Sequence, residues 1–157
     1  MSRAIVPVAL LLLSAAALSG CLLSDDDDDR DSAGLVLAIA ASEPSVAPTE
    51  FARIDVSGVN AGKRRVVWGR GSSSCQFSAI ARVDGKFYHA LDERACTDDL
   101  AEQGLDPGRS RAENWTWNGL ILKNGGWEQL PAGVYTLYAA AGDHTSRHPV
   151  TVRVLGP

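Results

Sequence analysis

Cysteine and histidine are the scarce reactive side chains of this chain, three of each, and their spacing decides which chemistries are open. Cys75 and Cys96 stand far apart with no Cys-x-x-Cys pair, so a zinc site would have to borrow His89, His144 or His148 from distant positions. No serine sits in a Gly-x-Ser-x-Gly setting. The stretch Gly69 to Ser74 (GRGSSS) is rich in glycine and serine, but it lacks a Gly-Lys-Ser/Thr ending. The alternating segment Cys75 to Val83 follows it where a phosphate loop needs a helix. Five consecutive aspartates, Asp25 to Asp29, offer oxygen ligands without a fixed cage. No nucleophile–base pair is visible, so neither an enzyme nor a bound cofactor or metal is expected. A polar cleft gathering His89, Asp92 or His144 would reverse that reading.

The elements that carry these residues begin with a leader. Met1-Ser2-Arg3 is a short positive start, and Ala4 to Leu18 is an apolar run too short for a comfortable membrane span, which is the form of a secretory signal. It ends in Leu18-Ser19-Gly20-Cys21, which resembles the bacterial lipoprotein signal. Small residues fit the peptidase groove, and the thiol of Cys21 receives diacylglycerol. The resemblance implies a signal peptide over 1–20 and an acylated Cys21 in a lipid membrane. At about 0.8 kcal/mol per buried methylene, two or three acyl chains hold firmly. Leu22 is not the aspartate that resembles an inner-membrane retention signal, so the expected location is the cell envelope, at the outer membrane if the host has one. Residues 21–33 form the lipidated N-terminus and an acidic linker. The run Ser24 to Arg30 (SDDDDDR) repels itself and stays solvated. From Leu22 to Ala33 its reach is on the order of 40 Å. With Cys21 lipidated, Cys75 and Cys96 remain, and an exported chain folds where thiols oxidise, so they should form a disulfide. For a loop of this length the chain-entropy model gives roughly 3 kcal/mol.

Residues 34–157 are then one domain. The six acids at 25–29 and 31, offset by Arg3 and Arg30, account for the net charge of −4; from Ser32 onward thirteen acids face thirteen bases. There is no broad basic face, and Lys63-Arg64-Arg65 is a short solvated cluster, so no nucleic-acid partner is expected. Period-two alternation recurs throughout the domain. Leu35, Leu37 and Ile39 face inward on a first strand; Ala52, Ile54 and Val56 on a second, followed by a loop over Gly58 to Gly62; Val66 and Trp68 on a third. Asp84-Gly85 makes a two-residue hairpin turn into Lys86 to His89. Leu91 to Gly104 has mild helical character and reads as a short turn of helix or an ordered loop. Trp115 and Trp117 share a strand face, with at least one of them in the core, and the valines of Val150 to Val154 face inward beyond a loop over Ala140 to Pro149. Eight or nine short strands at these intervals predict an all-β chain, an antiparallel β-sandwich.

Three motifs sharpen that expectation: Pro107-Gly108, Trp115-Thr116-Trp117-Asn118-Gly119, and Pro131-Ala132-Gly133-Val134-Tyr135-Thr136. Together they resemble the intracellular proteinase inhibitor (BsuPI) family, whose fold is an immunoglobulin-like β-sandwich. The resemblance implies that Tyr135, Leu137 and Ala139 are buried and that Thr136 and Tyr138 are exposed. These residues form turns and core, so they imply a fold and no inhibitory site. The expected function is a non-catalytic, membrane-anchored envelope lipoprotein with a binding or structural module, its partner an envelope protein or a protease. The alternative is an inhibitor of an extracytoplasmic protease, acting through the disulfide-braced region near Cys96.

Overall fold

The computed structural model describes residues 34–91 and 96–156. The expected leader, Cys21, the acidic linker and Asp92 lie outside the described residues. Every regular element described is a strand. In chain order these are β1 (Leu35–Ala41), β2 (Ser45–Val46), β3 (Ala52–Asn60), β4 (Val66–Gly71), β5 (Ser78–Val83) and β6 (Lys86–His89). Then come β7 (Ala101–Leu105), β8 (Ser110–Trp117), β9 (Leu120–Lys123), β10 (Gly126–Gln129), β11 (Gly133–Ala141), β12 (His144–Thr145) and β13 (Val150–Val154).

A smaller sheet has the order β1-β3-β8 and a larger one the order β10-β9-β6-β5-β11-β13-β2, with β12 paired to β11. The chain feeds both sheets at once near its start: β1 runs antiparallel to β3, whereas β2 pairs parallel with β13. Tyr135 lies near the start of β11, and its hydroxyl donates to the Pro131 carbonyl four residues upstream at 2.8 Å, the tyrosine-corner arrangement of immunoglobulin-like sandwiches. Burial pushes its phenol above the ordinary tyrosine range, with Asp84 adding to the shift. The fold is thus an immunoglobulin-like antiparallel β-sandwich. A two-stranded ribbon, β4 with β7, is added to it.

The core lies between the sheets because alternation sends one face of each strand inward. Ala52, Ile54 and Val56 of β3 meet Phe77, Leu137, Ala139 and Val152 there, all of them buried. Trp117 is buried too, and its indole N–H donates to the Leu120 carbonyl at 2.8 Å, so the largest core side chain also satisfies its polar atom. Trp115 is half-buried against the same core.

Four expectations need correction. Gly58 to Asn60 continues β3 instead of opening a loop. A Cβ at Gly58 would stand 2.6 Å from the Phe77 ring, so glycine is required there by packing and not by a turn. Within the expected helical stretch, Ala101 to Leu105 is strand β7, because pairing with β4 overrides a weak local preference. The expected loop over Ala140 to Pro149 contains the end of β11 and all of β12. The burial pattern of β11 is less sharp than expected: Tyr135, Thr136 and Tyr138 are all half-buried, Tyr138 because Phe87 stands edge-on against it with ring centroids 5.5 Å apart. The Asp84-Gly85 hairpin is as expected, with both residues at positive φ (49° and 78°), the conformation of a type I′ turn.

Candidate binding face of the larger sheet

The segment Ser72 to Phe77 leaves the sheet ladders, so its backbone groups must find side-chain partners. Glu113 of β8 accepts from the Gln76 and Phe77 amides at 2.9 and 3.0 Å and from Arg111 Nε at 2.6 Å. Arg111 in turn donates to the Ser73 and Ser74 carbonyls at 3.0 Å. From the ribbon, Gln103 Nε2 donates to the Ser72 and Cys75 carbonyls at 3.1 and 2.9 Å. The Cys75–Cys96 disulfide is formed, with the Cα atoms 5.6 Å apart. Beside it, Asp99 accepts from the Thr97 hydroxyl and from the Ser73 amide. Those bonds, that of Thr97 first, lower the Asp99 carboxyl from 3.8 to about 2. Among the described residues, the region is therefore fixed by a covalent link and by side chains from two strands.

This braced segment and the β4–β7 ribbon stand over one end of the larger sheet, and a cleft of about 250 Å³ lies between them. Arg70, Ser72 and Gln103 line one side; Gln76, Ser78 and His89 line the other. Trp68 anchors the ribbon by stacking on Phe77 and by donating its indole N–H to the Gln76 carbonyl at 3.1 Å. Gln76 Oε1 and Ser78 Oγ are closed off from solvent and have no protein partner. His89 is the one histidine of the cleft, and His144 and His148 do not line it. Among the described residues no three of His, Cys, Asp and Glu gather into a metal-binding group.

The cleft opens onto the outward face of the larger sheet. Cross-strand register places Trp127, Leu122, His89, Ile80 and Tyr138 in one row across five strands. At about 4.8 Å between strands the row is roughly 19 Å long. The next row carries Phe87, Arg82, Thr136 and Thr151. Phe87 is 53% exposed and Val134 59%. At the far end of β11 a second groove, about 470 Å³, is lined by Ser45, Val134, Thr151 and Arg153. Ala140 in the first cleft and Val134 in the second are six residues apart on β11, roughly 20 Å. Among the described residues, no outward position of these strands is Asp or Glu. Arg82 shares a pocket with Asp84 of the hairpin turn and with Glu128 of β10, whose register partner Ile121 faces the core.

The sequence reading placed Cys75, Cys96 and the tryptophans but missed this face. Arg82, Phe87 and Tyr138 share it only through the register of β5, β6 and β11, which single-strand alternation does not contain. Gln76 and Ser78 gave no signal beyond lying in an alternating run.

No protein-family model matches the chain, and no curated protein does. Among solved structures, the chain is similar to the CARDB domain of the PF1109 protein from Pyrococcus furiosus, solved in complex with di-metal ions. That likeness has a TM-score of 0.44 and 14% identity over 78% of this chain and 94% of that one. It is also similar to part of the β-glucosidase EmGH1 from Erythrobacter marinus (TM-score 0.45, 14% identity, 77% of this chain). A β-glucosidase from Listeria innocua is similar at a TM-score of 0.43 and 10% identity. The chain spans only 15% and 16% of the lengths of the two glucosidases. These similarities concern architecture and carry no argument about activity.

Proposed function

We propose that the protein is a non-catalytic binding module of the cell envelope, held to a lipid membrane through acylated Cys21, which engages an envelope component with the outward face of its larger sheet. The observation that carries this reading is the composition of that face. Exposed Phe87, Leu122 and Val134 stand among Arg82, His89 and Arg153, with no carboxylate at an outward position of the strands. Apolar groups gathered on one exposed face beside polar ones mark interaction surfaces, and unpaired arginines add preference for an anionic partner. The test is retention of the full chain on delipidated envelope material. Arg82→Gln is expected to weaken retention at least tenfold, and unchanged retention would remove this face from the account. Anchoring is tested separately: Cys21→Ser should abolish palmitate incorporation, and unchanged labelling would contradict the lipid anchor.

A second reading, inhibition of an extracytoplasmic protease in the manner of the inhibitor family that the motifs resemble, is favoured by one observation. The braced loop after Cys96 presents Leu100, 66% exposed, beside the Thr97–Asp99 hydrogen bond. Leu100→Asp would abolish inhibition of a secreted protease if this loop enters its cleft. It would leave envelope retention intact if the sheet face is the working surface.

A further inference from the structure

The class of partner follows from how charge and rings are spaced on this face. The inference deepens the binding-module reading and rests on it. Arg82 and Arg153 stand two strands and two positions apart, roughly 12 Å, and Arg70 and His89 lie at the other end in the first cleft. None of the three arginines makes an ion pair among the described residues. Cations this sparse do not suit nucleic acid, whose duplex carries a charge every ~1.7 Å of axis. They suit a polymer that carries at most one carboxylate per sugar ring.

The apolar groups point the same way. A partner helix needs a continuous apolar stripe, but here polar side chains interrupt the apolar positions in register: Phe87 lies opposite Arg82, Ile80 opposite His89, and Val134 opposite Arg153. Rings exposed on the sheet present faces of negative potential to which the axial C–H groups of a pyranose ring are attracted. Thr136 and Thr151 between them offer hydroxyls to its hydroxyl groups. The Phe87–Tyr138 pair lies between two grooves whose lining residues Ala140 and Val134 stand roughly 20 Å apart along β11, a length that takes several sugar units. We infer that the outward face of the larger sheet binds a carboxylated polysaccharide, with Phe87 and Tyr138 stacking on sugar rings and Arg82 and Arg153 pairing with uronate carboxylates.

The experiment titrates the full-length chain, in mild detergent, with oligogalacturonate, a neutral cello-oligosaccharide and polyglutamate by calorimetry. Binding of oligogalacturonate alone is expected, weakened at least tenfold by Arg82→Gln and by Phe87→Ala and unchanged by Ser57→Glu on the opposite sheet. Thermal melting of each variant controls for folding, and Phe87 is exposed enough to be truncated without unfolding the domain. Polyglutamate bound as tightly, with no dependence on Phe87, would overturn the inference in favour of an acidic peptide partner. Neutral glycan bound as tightly, with no dependence on Arg82, would overturn its charged half. Absence of oligogalacturonate binding while Arg82→Gln still abolishes envelope retention would overturn the glycan assignment and leave the binding module standing. Loss of neither would overturn both.

Discussion

The two outward faces of the sandwich share one core and differ in almost everything else. On the smaller sheet, register brings Val36, Ala38 and Ala40 alongside Val59, Ser57 and Asp55, with Ser110, Ala112 and Asn114 on the far side. Its charges neutralise one another: Arg53 pairs with Asp55 at 2.7 Å, and Asn114 Nδ2 donates to the same carboxylate at 2.6 Å. The larger sheet presents rings, arginines without an ion pair among the described residues, and grooves toward both ends of β11. Fold alone does not produce this contrast, since both faces obey the same alternation and pack on the same buried residues. Only the outward residues, on which the core makes no demand, separate a scaffold face from a working face.

The largest effect is expected where the two faces depend on the same residue. Trp117→Ala removes the biggest buried side chain and its bond to Leu120, and should cost about 3–5 kcal/mol in denaturant unfolding. A loss under 1 kcal/mol would mean that the ring is not core. Tyr138→Ala, on the working face, should cost only about 0.5–1.5 kcal/mol, chiefly the edge contact with Phe87, while impairing binding. A cost as large as that of Trp117→Ala would make this face structural and dissolve the comparison.

The smallest effect concerns the braced segment beside the cleft. The Asp99 carboxyl titrates in the folded protein at about 2, below the ordinary 3.8, so its contribution to loop order is complete above about pH 4. That contribution is lost as pH falls toward 2. A carboxyl-carbon NMR titration should show a midpoint near 2 that rises in Thr97→Val, whereas a midpoint near 3.8 in the parent protein would show that the loop is not held by this bond.

How far these features were legible in the sequence depended on whether they were local. Inward valines on β13, the Asp84-Gly85 turn and the burial of Trp117 follow from period two and turn chemistry within a few residues. The disulfide followed from counting cysteines. What failed needed partners far along the chain. Asn60 is fully buried, with its side chain bonded to Arg64 and Leu105 carbonyls and to the Gly62 amide, yet asparagine beside glycine reads as a loop. Strand β7 exists because β4 lies next to it, and Asn118-Gly119 carries the chain from one sheet to the other where the dipeptide commonly closes a hairpin. The candidate face was invisible for the same reason. Arg82, Phe87 and Tyr138 become neighbours only once three strands are set in register.

The most direct test is hydroxyl-radical footprinting of the full chain with and without delipidated envelope material, read by mass spectrometry at single side chains. Phe87, Leu122 and Tyr138 should lose reactivity when the envelope component is present, while Val36 and Val59 on the opposite sheet keep theirs. Protection of Val36 and Val59, with Phe87 and Tyr138 unchanged, would contradict the account and move the working surface to the smaller sheet.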